Sequence, residues 1–329
     1  MEFLARDRII EKTNYATGDK YKEKVGFTLY HVVLGIKRDG VEEDMLYTYD
    51  GTKATGLDYA IDHGWTGRRF MDSGEFPAHR KGIRLDQPKY IEYVNRVGDQ
   101  LDAIACMDYM PRESDGPDYQ HIAGEISWND YCKQREWVRP ELRDKFIFII
   151  HGTDIDRLVE RACLYRDSDG MPIRYMASSL ADYGEAMRIE RGAHYNQVLS
   201  KYNYDGQFHG LGLQVKKIIE GTPILTSCDS SSAIRESASG MLFYKGHKIK
   251  IGLDTKQHHK GDFTPNQFAA IEDELKQRAL QLGIDYDLAR ANGQERYLWN
   301  CKERSLYIKD MDPEAKPFIK KQGRGLLAQ

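Results

Sequence analysis

Four ionisable side chains in this 329-residue chain follow short apolar runs, and their types suit work on a bond between a sugar and a base or alcohol. Asp72 follows Arg69-Phe70-Met71 and opens the segment Asp72-Ser73-Gly74-Glu75-Phe76. Asp108 follows Ile104-Ala105-Cys106-Met107. His151 follows Phe146 to Ile150, and Asp229 follows Ile224 to Cys228. A carboxylate at a strand end among small residues, as in Thr226-Ser227-Cys228-Asp229-Ser230-Ser231-Ser232-Ala233, has room for substrate and the access a nucleophile needs to reach an anomeric carbon. A second carboxylate, Asp72, in a tight Ser-Gly turn, can serve as acid and base when the transition state is oxocarbenium-like. Asp108 can accept two hydrogen bonds from an amidine-like edge such as that of guanine.

Each of these residues also has a plainer reading. Asp72 can cap the turn that follows it. Asp229 can bond to the neighbouring hydroxyls, Asp108 can pair with an arginine, and His151 can be a structural hydrogen-bonder. Cys228 reads as a small packed residue rather than a nucleophile. His258-His259 with distant Cys301 fits no compact metal-ligand spacing.

The elements that must position these groups are short and alternate in kind. Apolar runs at Thr28 to Ile36, Arg69 to Met71, Ala103 to Met107, Phe146 to Ile150, Pro172 to Met176, Gln207 to Leu213 and Ile224 to Cys228 look like buried parallel strands. An eighth is expected in Met241 to Tyr244 or His247 to Ile251. Helical stripes lie between them. Tyr90, Val94 and Val97 follow Pro88. Ile155, Leu158, Val159 and Ala162 follow a Thr153 cap. Val215, Ile218 and Ile219 precede Gly221. Thr264-Pro265-Asn266-Gln267 starts a helix that Gly283 ends. Met110 to Gly124 reads as a long surface loop. The pattern predicts an α/β (β/α)8 TIM barrel with added helices and loops, a single domain over residues 1–329 with a helical extension from about residue 262. A doubly wound open sheet is the alternative. In a barrel, residues just past the strand C-termini face the active site, where Asp72, Asp108, His151 and Asp229 all fall.

Composition narrows the function classes. Lys and Arg number 48 and Asp and Glu 51, a net charge of −3, so a nonspecific nucleic-acid coat is not expected. The five cysteines are scattered, which fits a reducing compartment and no disulfide framework. No apolar run approaches the roughly 20 residues of a membrane helix, and MEFLARDRIIEK carries charges where a secretory leader has its apolar block. A cytoplasmic location is expected, the host cytoplasm if the protein is viral.

These segments, taken in order, resemble the tRNA-guanine transglycosylases, which are TIM barrels. Asp72-Ser73-Gly74-Glu75-Phe76 is similar to that family's DSGGF/Y motif, with Glu75 at the second Gly. Asp108 matches its base-recognising Asp. His151-Gly152 falls where the family has Gln-Gly, and Ala177-Ser178-Ser179-Leu180 where it has a Gly-Gly-Leu turn. Gly210-Leu211-Gly212 resembles its GVG, and Asp229 to Gly240 its nucleophile block, with Asp229, Arg235 and Gly240 in register. The likeness spans about residues 65 to 245. The family's zinc signature, CxCxxC with a later His, is absent, no RNA-binding domain is apparent, and the Pro and second Arg of the nucleophile block are missing. This combination most resembles the DNA-modifying, DpdA-type branch of the superfamily.

The resemblance implies exchange of guanine in DNA for a 7-deazaguanine base, for example 7-cyano-7-deazaguanine, with no cofactor and no metal. Asp229 would be the nucleophile and Asp72 the general acid/base. Phe76 would stack on the base and Asp108 would read it. Ser73, His151, Ala177, Ser178 and Gly210 would complete the base site. A duplex hides its bases, so the target must be flipped out or single-stranded. Candidate phosphate contacts are Arg80, Lys81, Arg84, Arg235 and Lys245, with Arg68, Arg69, Lys248 and Lys250 further candidates. The tail Lys316, Lys320, Lys321 and Arg324 reads as a solvated face. Three other readings are a tRNA-directed enzyme without its metal, a TIM-barrel glycoside hydrolase using the same two acids, and a non-catalytic nucleic-acid-binding barrel.

Overall fold

A computed structural model describes residues 8–13, 20–25, 27–33, 38–110, 116, 118–152, 154–179, 185–213, 219, 222, 224–253 and 261–309. The chain divides into two compact units, Asp7–Ser230 and a second that begins at Ser231, ahead of the expected helical extension.

In the first unit a hairpin of β1 (Arg8–Thr13) and β2 (Lys20–Val25) precedes eight parallel strands that close on themselves. The barrel strands are β3 (Thr28–Val32), β4 (Met45–Thr48), β5 (Arg69–Asp72), β6 (Ala103–Ala105), β7 (Phe146–Ile150), β8 (Tyr175–Ser179), β9 (Gln207–Leu211) and β10 (Ser227–Ser230). Each pairs with the next, and β10 closes the ring on β3 with Asp229 beside Tyr30. The described helices of this unit are α1 (Leu57–Asp62), α2 (Glu75–Arg80), α3 (Gln87–Val97), α4 (Tyr119–Trp137), α5 (Ile155–Leu164) and α6 (Glu185–Lys201). This is the (β/α)8 barrel that the alternating runs predict.

The strands follow the expected apolar runs with three corrections. The eighth barrel strand is β4, Met45–Thr48, a four-residue run behind the acidic Glu42-Glu43-Asp44. Met241–Tyr244 and His247–Lys250 (β11 and β12) instead pair antiparallel with each other in the second unit. β8 starts at Tyr175 rather than Pro172, because the Pro172 carbonyl accepts a hydrogen bond from Arg135 Nη2 at 2.8 Å and Pro has no N–H to give a ladder. Ala177, Ser178 and Ser179 are therefore strand residues, not a turn. β10 starts at Ser227 because Ile224 and Leu225 sit in a turn, with Leu225 N–H on Thr222 O at 3.1 Å.

The loop expected over Met110 to Gly124 ends early, since α4 begins at Tyr119. Gly124 lies inside that helix because a β-carbon there would stand 3.0 Å from the His151 carbonyl oxygen and 3.1 Å from Leu158. The other helices follow their stripes. Asp86 caps α3, accepting from Lys89 N–H at 3.0 Å, and Tyr90, Ile91, Tyr93 and Val94 are buried. Asp154 caps α5, whose buried face is Ile155, Leu158, Val159 and Ala162; Thr153 lies outside the described residues. So does most of the expected Val215 to Gly221 helix.

Strand pleating sorts the barrel side chains. Phe70, Tyr30 and His209 touch inside it, with ring centroids 4.7 to 6.0 Å apart. Tyr175 and Ser227 join them through a 2.8 Å hydrogen bond. Alternation and lateral pairing then place Asp72, Ile149, His151, Ala177, Ser179, Leu211 and Asp229 on the same inner side. Met71, Phe148, Met176, Phe208 and Cys228 face the helices. Phe148 packs on Trp128 and Tyr131 of α4, and Phe208 on Tyr195 of α6.

The second unit contains a helix at Ser232–Ala238, the β11–β12 hairpin, and helices at Pro265–Leu282, Tyr286–Ala291 and Gly293–Lys309. Thr264 and Gln267 form the expected capping box and Gly283 closes that helix in the left-handed region. Buried Asn300 ties the unit together, accepting from Phe243 N–H at 2.6 Å and donating to Met241 O and Ser237 Oγ, each at 3.0 Å. Buried Arg304 pairs with Glu236 through two hydrogen bonds of 3.1 and 2.5 Å. Among the described residues no helix is long and apolar enough to cross a membrane.

Candidate active site

Asp72 ends β5 at the C-terminal mouth of the barrel. The chain must turn sharply after it, and Gly74 makes the turn with φ of 77°. A β-carbon at Gly74 would stand 1.9 Å from the Tyr49 carbonyl oxygen, so close approach as well as backbone angle requires glycine. The turn aims Gly74 N–H at Asp72 Oδ2, 3.3 Å away, and buried Ser73 donates its hydroxyl to Asp108 Oδ1 at 3.3 Å. The half-buried Asp72 carboxyl is pushed up from its ordinary 3.8 to about 7. Burial is the largest cause, followed by the negative charges of Asp108 and Asp229, and the backbone N–H groups of Gly74 and Ser73 offset part of it.

Asp108 lies three residues past β6 and is 8% exposed. The pairing of β6 continues through Cys106 N–H to Ile147 O at 3.0 Å. Beyond that, α4 takes over. Gln134 accepts from Met107 N–H at 2.8 Å and donates to Met107 O at 2.7 Å, so a side-chain amide substitutes for a neighbouring strand. Tyr109 N–H donates to Ser127 Oγ at 3.0 Å. Asp108 Oδ2 is hydrogen-bonded to Nε2 of His151, which stands one residue past β7. Gly152, with φ of 90°, turns the chain away immediately after.

Asp229 lies within β10 and is 9% exposed. Its Oδ1 meets Gly212 N–H at 2.8 Å and His209 Nε2 at 3.1 Å. Among the described residues nothing bonds to Oδ2. Cys228, one residue earlier, is fully buried on the outer face of the strand, which removes it from the pocket.

The structure thus brings together Asp72, Ser73, Asp108, His151 and Asp229, from four different strands, at one end of the barrel. Ala177 faces the same interior and is buried. Two expected base-site residues face elsewhere. Ser178 donates its hydroxyl to Tyr195 OH at 2.7 Å in the helical layer. Gly210 turns its α-carbon outward, where a β-carbon would meet Leu213 and Leu225 at 3.0 and 3.1 Å. Only their backbones remain available to the pocket.

Phe76 is 57% exposed on α2, four residues past Asp72, and Arg80, Lys81 and Arg84 follow it, all exposed. Arg84 covers the Tyr109 ring at 4.3 Å. Arg68 and Arg69 do not belong to this group. They stand at the start of β5, where Arg68 bonds Thr28 Oγ1 at 2.8 Å and Arg69 bonds Trp65 O at 2.5 Å, so strand direction puts them at the opposite end from Asp72. Arg235 and Lys245 belong to the second unit, where Arg235 is exposed and Lys245 pairs with Glu274 at 3.0 Å. Lys248 pairs with Glu236 at 3.4 Å and Lys250 bonds Ser239 O at 2.5 Å. His258, His259 and the basic tail from Lys316 to Arg324 lie outside the described residues. Cys301 is buried, and among the described residues no three His, Cys, Asp or Glu side chains are grouped to hold a metal ion.

Two residues that sequence reasoning missed shape the site, His209 and Gln134, while Gly212, noted only as part of Gly210-Leu211-Gly212, gives its N–H to Asp229. His209 was detectable, because in the run Gln207 to Leu213 its parity matches an inward row. Gln134 gave no signal beyond being a polar residue on a long helix.

Compared with known proteins, the chain matches no family model and no curated protein.

Proposed function

We propose that the barrel is a base-exchanging transglycosylase that replaces guanine in DNA with a 7-deazaguanine base through a covalent Asp229–sugar ester. The observation that carries this reading is the coupling of Asp72 to Asp229 at the barrel mouth, with Asp72 held near pH 7. A carboxyl poised there gives up and takes back a proton with similar ease, which suits a two-step displacement through a covalent sugar ester.

In the first half-reaction Asp229 Oδ2 attacks C1′. The bond from C1′ to the base nitrogen breaks with its electron pair going to the base, which takes the proton of neutral Asp72. In the second half, ionised Asp72 removes the proton from the ring nitrogen of the incoming 7-deazaguanine. That nitrogen attacks C1′ and the ester C–O bond breaks, returning its electrons to Asp229. Asp108, hydrogen-bonded to His151, accepts from the amino and ring N–H groups of the base, and Phe76 stacks on its face. Arg80, Lys81 and Arg84 lie in sequence just past the Asp72 turn and serve the phosphates on either side of a flipped nucleotide. The choice of DNA rests on the likeness to the DNA-modifying branch.

The deciding experiment is mass spectrometry of nucleosides from DNA incubated with the protein and free 7-cyano-7-deazaguanine. A modified deoxynucleoside with wild type and none with Asp229→Ala is expected. Incorporation by Asp229→Ala would remove the nucleophile assignment, and labelling of tRNA with DNA ignored would move the protein to the RNA-directed branch.

A further inference from the structure

We infer that His209 is a positioning residue for the Asp229 nucleophile, an imidazole locked in one tautomer by Ser227 and Tyr175 so that it holds one carboxylate oxygen and leaves the other to attack carbon. The inference rests on the exchange reading only in treating Asp229 as the group that carries the sugar.

The observation is a continuous hydrogen-bond chain through the barrel interior. Tyr175 OH and Ser227 Oγ are 2.8 Å apart, Ser227 Oγ and His209 Nδ1 2.9 Å, and His209 Nε2 and Asp229 Oδ1 3.1 Å. His209 is fully buried and boxed by rings, with Phe70 edge-on at 4.7 Å and Tyr30 at 6.0 Å, so the imidazole cannot turn over without displacing them.

The directions of the bonds follow from the chemistry of the members. An ionised carboxylate only accepts, so His209 Nε2 bears the hydrogen. Nδ1 of the neutral ring then accepts from the Ser227 hydroxyl, whose oxygen in turn accepts from Tyr175. Burial pushes the Tyr175 phenol up to about 12, so it stays a donor throughout the neutral range. The reversed chain would place a bare Nε2 lone pair against the carboxylate. Tyr175 and Ser227 therefore select the tautomer and the tautomer favours ionised Asp229.

The same geometry serves both half-reactions. With Gly212 N–H at 2.8 Å and His209 Nε2–H on Oδ1, Oδ2 is the oxygen that attacks. Once Oδ2 bears C1′, Oδ1 is the ester carbonyl oxygen. The two donors then stabilise the charge that returns to the carboxylate as the ester C–O bond breaks. The titratable groups facing Asp229 among the described residues are His209 from β9, Tyr30 beside it in β3, Asp72 from β5 and, next to Asp72, Asp108.

The test uses the full chain and three variants. His209→Phe keeps a ring between Phe70 and Tyr30 but removes both nitrogens, His209→Gln returns an N–H near the Nε2 position, and Ser227→Ala frees Nδ1. His209→Phe should lower kcat for base exchange roughly tenfold to hundredfold, the worth of a hydrogen bond to a charged group, with KM for the free base unchanged. His209→Gln should recover part of the loss. Two readouts do not depend on turnover. The 15N spectrum of wild type should show His209 protonated at Nε2 and bare at Nδ1, a preference that Ser227→Ala weakens. The 13C carboxyl titration of Asp229 should move to higher pH in His209→Phe. A hydrogen on Nδ1, or an unmoved Asp229 titration with unchanged kcat, would overturn the inference. If wild type exchanges no base while the tautomer is locked and the titration moves, the exchange reading fails and the positioning stands.

Discussion

Gln134 holds Met107 by both ends of its side-chain amide, at 2.7 and 2.8 Å, one residue before Asp108. Both residues are fully or almost fully buried, and among the described residues no strand pairs with this peptide. The position of Asp108 therefore depends on a helix.

Gln134→Leu should leave a buried N–H and a buried C=O without partners and cost about 2 to 4 kcal/mol of stability. Urea unfolding measures this directly. Gln134→Glu, which retains one acceptor, should lose less.

Asp72 gives the stability curve a sign that can be checked. Its carboxyl keeps a proton up to about pH 7 in the folded chain but releases it near 3.8 when unfolded. The folded state thus binds more protons between those values, and this group's contribution to stability is full below that window and falls as pH rises towards 7. Asp72→Asn has no such charge to place beside Asp108 and Asp229. It should melt closest to wild type below about pH 4, and its advantage should widen by about 1 to 3 kcal/mol between pH 5 and pH 8. Calorimetry across that range decides it; a gap that stays constant with pH would contradict the raised value.

Gly74→Ala combines a positive φ with a β-carbon 1.9 Å from Tyr49 O. The backbone term alone is about 1 to 2 kcal/mol, and the clash must shift the turn as well. A lower melting temperature is expected, together with an Asp72 titration that moves as the turn shifts.

Asp108→Asn replaces an acceptor for two N–H groups with a group that also donates. On the exchange reading, KM for the free base should rise roughly tenfold to hundredfold while the variant remains folded, because Ser73 and His151 still find partners. Steady-state kinetics with varied base concentration separates this from a loss in kcat.

Much of this architecture is legible along the chain, for reasons particular residues make plain. Seven barrel strands announce themselves because runs such as Phe146 to Ile150 are buried on both faces. Met45–Thr48 does not, being four residues long and preceded by three acids. Asp72, Asp108, His151 and Asp229 stand out because each breaks or follows an apolar run. His209 is legible only through its parity in the run Gln207 to Leu213, since a histidine inside a strand otherwise looks like one more pleat position. Arg68 and Arg69 mislead because nearness in sequence to Asp72 says nothing about which end of β5 they occupy. Gln134 is invisible, since its partner Met107 is remote in the chain and the contact is to backbone.

The shared inward parity of Asp72, His151 and Asp229 sets what the molecule tolerates over evolutionary time. Losing or gaining one residue inside β5 would present Met71 to the cavity and drive the acid into the helical layer, because the pleat repeats every two residues. Segments beyond the strand ends carry no such two-residue constraint. New substrate preferences in this scaffold should therefore arise by lengthening those connections, while the barrel staves keep their residue count.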